Sequence, residues 1–144
     1  MIIAVDPGNV KSGIAVTDDA GRPLERRIVP TEHIGAAIAS MAARFGISSA
    51  DAPVIVCGNG TNHAFVAAEL RCAAEIFGAE VVLVEEGHST EEARRRYFDY
   101  NPPAGLKRFI PSGMRMPPEP VDDITALILA ERYIRILNER KGNG

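Results

Sequence analysis

The sequence predicts an α/β protein built on a mixed five-stranded sheet, an antiparallel meander continued by parallel strands, with helices on both faces. Two observations predict it. Three strand-like runs precede Pro30 and are separated only by turn-sized breaks, which suits antiparallel neighbours. Two further runs, at 53–57 and 80–84, each follow a helix-periodic stretch, the pattern of parallel βαβ crossovers.

The elements follow in order. Residues 2–5 form a continuous apolar run that suits a strand buried on both faces. Asp6 ends it, and Pro7-Gly8-Asn9 is a turn signal, because Pro sets φ, Gly admits a positive φ and Asn tolerates the left-handed region. Gly13 to Thr17 reads as a second strand paired back on the first, and 24–29 as a third after the turn at 19–22. Thr31 then suits a helix N-cap, with Ile34, Ala37, Ile38, Met41, Ala42 and Phe45 at helical spacing and Gly46 as the stop. The fourth strand, 53–57, closes in Gly58-Asn59-Gly60; a helix over 62–77 follows, capped by Thr61 and ended by Gly78. The fifth strand, 80–84, ends in Glu85-Glu86-Gly87, and Ser89-Thr90-Glu91-Glu92 reads as a capping box opening a third helix to about Phe98. Residues 99–119 carry Pro102, Pro103, Pro111, Pro117 and Pro118 with Gly105 and Gly113, hence a long loop of the kind that is functional or mobile. A last helix starts with Pro120 at its first position and runs to about Glu139. Residues 1–140 thus read as a single domain and 141–144 as a frayed tail.

Composition narrows the class. A chain of 144 residues with 46% hydrophobic and 24% charged residues is an ordinary globular domain able to bury a sizeable core. No apolar run approaches the roughly 18 residues of a membrane span, and Met1 leads into a strand without a basic, signal-like start, so a cytoplasmic protein is expected. Cys57 and Cys72 lie in apolar stretches without metal-ligand spacing and read as buried free thiols. The net charge of −3 argues mildly against non-specific nucleic-acid binding, but local charge matters more.

The opening hairpin, Asp6-Pro7-Gly8 followed by Gly13-Ile14-Ala15-Val16, resembles that of the ribonuclease H-like nucleases. Within them it is most similar to the RuvC-like group and its YqgF branch, the Holliday junction resolvases and pre-16S rRNA processing nucleases. Two later stretches extend the resemblance. Glu85-Glu86-Gly87-His88-Ser89-Thr90 is similar to the Asp-Glu-Arg-x-Ser/Thr-Thr that ends the family's fifth strand, with Glu86 in place of its Glu. Val121-Asp122-Asp123-Ile124-Thr125-Ala126 is similar to the start of its last helix, with Asp122 as the acid. Three motifs in the right order cover nearly the whole chain. They imply a three-layer ribonuclease H-like topology, the ends of strands one, four and five at one rim, and Asp6, Glu86 and Asp122 as catalytic metal ligands. The chain departs from the family at Gly87, where an Arg is usual, and at Gly58-Asn59-Gly60, where RuvC proteins carry an acid. A glycine-rich turn there would let a nucleic-acid backbone approach closely.

The chemistry fits those residue types. Phosphodiester hydrolysis at neutral pH needs a strong nucleophile and neutralisation of a charged transition state, which two Mg²⁺ or Mn²⁺ ions held by carboxylates supply. Each acid also has a local reading, since Asp caps turns and acids favour a first helical turn. Glu85 and Asp123 read as solvated neighbours, or as the ligands should the register differ by one; Glu119 is a fourth candidate, and His88 a candidate proton carrier. His33 and His63 read as ordinary helix-start residues.

A local basic stretch hides in the acidic total. Arg94, Arg95, Arg96, Lys107, Arg108 and Arg115 face only Asp99, giving about +5 between 94 and 115, with Tyr97, Phe98, Tyr100 and Phe109 interleaved. Cations beside aromatics neutralise phosphates and stack bases. Arg94, Arg95, Lys107, Arg108 and Arg115, together with Lys11 of the hairpin, are therefore the expected nucleic-acid contacts. The reading is a metal-dependent nuclease acting on structured nucleic acid, branched DNA or an rRNA precursor, with a homodimer left open. Its rivals are a nucleic-acid binding protein with a lapsed active site and an actin-like phosphate-binding ATPase, which opens with a similar hairpin.

Overall fold

The computed structural model describes residues 1–60 and 62–144. Five strands, β1 (Ile2–Asp6), β2 (Lys11–Thr17), β3 (Pro23–Pro30), β4 (Val54–Gly58) and β5 (Glu80–Val84), form one sheet in the order β3-β2-β1-β4-β5. The first three are antiparallel neighbours, and β4 and β5 continue parallel to β1. Register sets Asp6 opposite Gly13 on β2 and Val5 beside Cys57 on β4, so β1, β4 and β5 end at one rim.

Period-two alternation divides β1 between two cores. Ile3 and Val5, with Ile14 and Val16, face α1 (Ile34–Arg44) and α2 (His63–Phe77) through Ile34, Ile38, Met41, Val66 and Leu70. Ile2, Ala4 and Ala15 face α4 (Asp122–Gly142), whose Ala126, Leu127, Leu129 and Ala130 close the opposite side. The alanines let that helix approach the sheet. Burial of Leu127, Ile128 and Leu129 alone is worth about 1.5–3 kcal/mol each, which anchors the helix start that carries Asp122. α3 (Ser89–Tyr100) packs on α4 through Ala93, Val121, Ile124, Ile128 and Tyr97.

Several helix starts differ from the sequence expectation, the first of them for a tertiary reason. Thr31 is not an N-cap: it opens a 3₁₀ turn before α1, and its buried hydroxyl donates to Gly8 O (2.9 Å) and meets Ser12 Oγ (2.8 Å). The turn after Asp6 has a carbonyl that must be satisfied away from water, and that need outranks a cap. Ser89 is likewise buried as the first residue of α3, preceded by His88 in the left-handed region (φ 61°), and no capping box forms. Pro120 lies before α4, which starts at Asp122 without a side-chain cap and continues to Gly142, past Glu139. α3 extends to Tyr100, and two 3₁₀ turns shape the loop that follows. Gly78 ends α2 at φ 68° as expected, whereas the cap assigned to Thr61 lies outside the described residues.

Cys57 is buried in β4, but Cys72 is exposed: Val66, Leu70, Ala73 and Phe77 define the inward face of α2, and position 72 falls on the other. Among the described residues, no helix is long and apolar enough to cross a membrane.

The Thr31 bonds predict a stability cost. Thr31→Val keeps the shape but leaves Gly8 O and Ser12 short of partners, and should lower the urea-unfolding free energy by about 1–3 kcal/mol. Thr31→Ser should stay near the parent. Equal loss in both variants would mean that the methyl, not the hydroxyl, matters.

Candidate metal centre

The turn after β1 aims Asp6 at the rim. Gly8 N donates to Ser12 Oγ (3.2 Å), Thr31 N to Val10 O (2.9 Å) and Asn62 Nδ2 to Gly8 O (3.3 Å), so the hairpin is tied to both the meander and the start of α2. Gly8 has no room for a side chain, because a Cβ would collide with Lys11 O. Asp6 itself is half-buried.

Glu86 arrives from the turn after β5. Its amide donates to Asn59 Oδ1 (3.2 Å), and Asn59 N donates to Val84 O (3.0 Å), which staples that turn to the end of β4. Its carboxylate lies in the Gly58-Asn59-Gly60 turn, and a Cβ on Gly58 or Gly60 would overlap it. The glycine turn expected to admit a nucleic-acid backbone therefore seats an acid of this chain. That role escaped the sequence reading; the only signal was the pair of glycines one strand away from the acid. Arg132 of α4 holds the other side, donating to the carbonyls of Glu85 and Gly87 at 2.8 Å each. It brackets Glu86 from a helix the motif does not include.

Asp122 enters from the first turn of α4. Gly13 brings it close, since Asp122 O and Asp123 N lie where a Gly13 Cβ would stand. One Asp122 oxygen is 3.6 Å from Lys11 Nζ. Asp123 turns instead to Arg26 of β3 at 3.8 Å and to the amide of Ile124. Glu85 is exposed, and His88, also exposed, is 3.5 Å from Glu91. Glu119 is exposed and lines a cavity of about 240 Å³ with Lys11, Arg94 and Asp122.

Crowding fixes the electrostatics. Asp6 is pushed up to about 8, first by burial, then by the charges of Glu86 and Asp122 and by a hydrogen bond with Glu86. Burial also raises Glu86, against the Gly60 amide, Asp6, His63 and Arg132, which favour its ionised form. Beneath them, burial and the same two acids push the Cys57 thiol up to about 12. Glu86 Oε1 is buried and has no hydrogen-bond partner among the described residues. Donors that are all carboxylate oxygens, one of them orphaned, fit a hard divalent cation. Among the described residues, however, no three such side chains close around one point; the third carboxylate stands on the Lys11 side.

The basic segment divides. Arg94 and Arg95 are exposed on α3, and Lys107 and Arg108 on the loop, with Arg108 stacked 5.0 Å from the Phe109 ring centre. Arg96 is not free: it binds Glu131 at 2.8 and 2.6 Å and Glu92 at 2.9 Å, joining α3 to α4, and these acids raise its proton affinity further. Arg115 donates to Ile110 O (2.9 Å) and Arg108 O (3.2 Å) and so shapes the loop.

This sheet order, with helices on both faces, is the ribonuclease H-like fold. Two solved structures share it: T. thermophilus RuvC in complex with a Holliday junction substrate (18% identity, 94% of each chain covered, TM-score 0.57) and Thermus thermophilus RuvC (16% identity, 94% of this chain and 95% of that one, TM-score 0.56). No family model and no curated protein sequence matches the chain.

Proposed function

We propose that this chain is a metal-dependent nuclease that hydrolyses phosphodiester bonds in structured nucleic acid, branched DNA or an rRNA precursor. The observation that carries it is the meeting of acids from distant parts of the sequence at one rim, where burial first, then the charges of Glu86 and Asp122, push Asp6 up to about 8. Mg²⁺ or Mn²⁺ there would neutralise the carboxylates, polarise the phosphate and activate a water. Asp6, Glu86 and Asp122 would hold it, the Gly58–Gly60 turn and Arg132 would orient Glu86, and Lys11 would exchange Asp122 for a substrate phosphate. The fold shared with a RuvC solved on a Holliday junction supports a nucleic-acid substrate. An acid after β5 rather than on β4 supports the YqgF branch in particular, and with it a cytoplasmic enzyme.

A second reading has its own observation. The Lys11–Asp122 pair at 3.6 Å leaves the third carboxylate neutralised without metal, as in a nucleic-acid binding protein that no longer cuts. Incubation with a panel of branched DNA and structured RNA, with Mg²⁺ or Mn²⁺ and with EDTA, separates the two. Metal-dependent cleavage supports the nuclease, and metal-independent binding without cleavage supports the rival.

The substrate path runs along α3 and the loop. Reversing Arg95 and Arg108 to Glu should weaken binding at least ten-fold and flatten its dependence on salt, since fewer counterions are released. Stability should hold, because exposed charges contribute little. An unchanged salt slope would move the path elsewhere.

A further inference from the structure

An apolar groove of about 360 Å³ lies between the end of α3 and the loop after it, within the size range of ligand sites, about 300–1,000 Å³. Tyr97 and Phe98 form one wall, edge to face with ring centres 5.2 Å apart; Ile110, Met114 and Met116 form the other. Two cations, Lys107 and Arg115, line it, and no acid does. Arg115 holds the loop through two backbone carbonyls, so the groove is built into the fold. Its surroundings stay apolar in water: Met114 is 73% exposed, Phe109 71% and Leu106 85%. An apolar surface of this extent marks a contact site.

Position identifies the occupant. The groove shares Phe98 and Arg115 with a neighbouring cavity of about 470 Å³ that Arg95 also lines. A third cavity, of about 400 Å³, shares Arg95 and Arg115 with that one and adds Arg94 and Met116. Arg94 and Met116 also line the cavity that reaches Lys11 and Asp122. These shared residues link the cavities in series from the acid rim to the groove; Arg94, Arg95 and Arg115 line them together with Glu91, Glu92, Asp99 and Glu119, of which Glu92 is paired with Arg96 and Glu91 lies beside His88. A polyanion fits the exposed Arg94 and Arg95 of this track, and aromatic or thioether surfaces fit the face of a base. A folded protein partner would fill the groove but leave the arginines of the track unpaired.

From this geometry we infer that the groove receives one unpaired nucleobase of the substrate, while the adjoining strand follows Arg95 and Arg94 toward Asp122. The inference rests on the nucleic-acid reading above and narrows it: the substrate carries an unstacked nucleotide at a fixed distance from the phosphate that is cut. A perfect duplex offers no such base and is discriminated against.

The test uses the full chain in EDTA, so that nothing is cleaved. Its probes are short single-stranded DNA and RNA oligonucleotides with 2-aminopurine at one position, and matched oligonucleotides abasic there. The base-bearing probes should bind about ten-fold more tightly, as expected for one stacked base, and their emission should be quenched. Met114→Asp, at an exposed loop position, should abolish the quenching and the preference, and Met114→Ser, which adds no charge, should weaken both while leaving the salt slope unchanged. Parent protein that binds abasic and base-bearing probes equally overturns the inference and leaves the nucleic-acid reading intact. Binding of branched DNA or structured RNA without binding of any single-stranded probe also overturns the inference, and failure to bind either kind defeats that reading itself. A dimer in sedimentation that Met114→Asp dissociates would give the groove to a second copy, which also overturns the inference.

Discussion

Asp6→Asn should abolish metal-dependent cleavage, leave nucleic-acid binding equal or tighter, and raise the melting temperature of the metal-free protein. The three effects have one cause. Asparagine keeps the size of the side chain at the end of β1 but cannot offer a charged oxygen to a cation, so turnover should fall roughly a thousand-fold or more, about 4 kcal/mol of transition-state stabilisation. Binding should be equal below about pH 8, where Asp6 carries its proton, and tighter above it, where the variant lacks a carboxylate facing the phosphate. The stability effect follows from Asp6 being pushed up to about 8 by burial, Glu86 and Asp122. A carboxyl whose proton affinity is higher in the folded state stabilises the fold fully below its unfolded value of about 3.9. That contribution is lost as pH rises through about 8. The metal-free parent should therefore melt progressively lower from pH 4 to pH 8, and Asp6→Asn should flatten that decline, standing about 5 °C higher at pH 8. Mg²⁺ or Mn²⁺ should restore the parent and do little for the variant. Equal cleavage by parent and variant would reduce Asp6 to a turn residue, and parallel pH profiles would mean that Asp6 is ionised throughout.

What could be read from the sequence was what local chemistry decides. β1, its turn and Gly78 follow from apolar runs and from backbone conformations that only certain residues favour. The helix start at Thr31 differs because its hydroxyl is also a buried polar group whose bonds to Gly8 and Ser12 outbid capping, whereas Ser89 lies one residue inside α3, after His88 in the left-handed region. Arg96 looked like a free cation, but its partner Glu131 lies on another helix, beyond any local window. The site divides in the same way. The acids stand out as chemistry-bearing residues at element ends, whereas what positions them does not. Gly58 and Gly60 read as room for a nucleic-acid backbone until Glu86 is seen between them, and nothing local marks Arg132, whose two carbonyl bonds reach across from α4. In RuvC proteins the acid of this rim sits at the end of strand four, as the resemblance implies; here β4 contributes space and the next turn contributes the carboxylate.

Gly13→Ala should be among the most damaging single-methyl changes in the chain. Gly13 faces Asp6 across the β1–β2 pair, and a methyl there would run into Asp122 O, Asp122 C and Asp123 N. Those are backbone atoms at the start of a helix, so no rotamer change relieves the clash. Either β2 bows or the first turn of α4 lifts from the sheet, and the second withdraws Asp122 from Asp6. Overpacking of this kind costs about 3 kcal/mol, a fall in melting temperature of roughly 10 °C. Cleavage measured well below that melting point should still fall at least ten-fold, because the carboxylate moves even where the protein stays folded. Gly142→Ala, at the far end of α4, is the control: nothing stands within 4 Å of its added Cβ, and it should match the parent in both assays. A Gly13→Ala protein with parental stability and activity would mean that α4 does not approach the sheet as closely as the structure has it. A protein destabilised but fully active when folded would take Asp122 out of the metal centre and leave Asp6 and Glu86 to hold it.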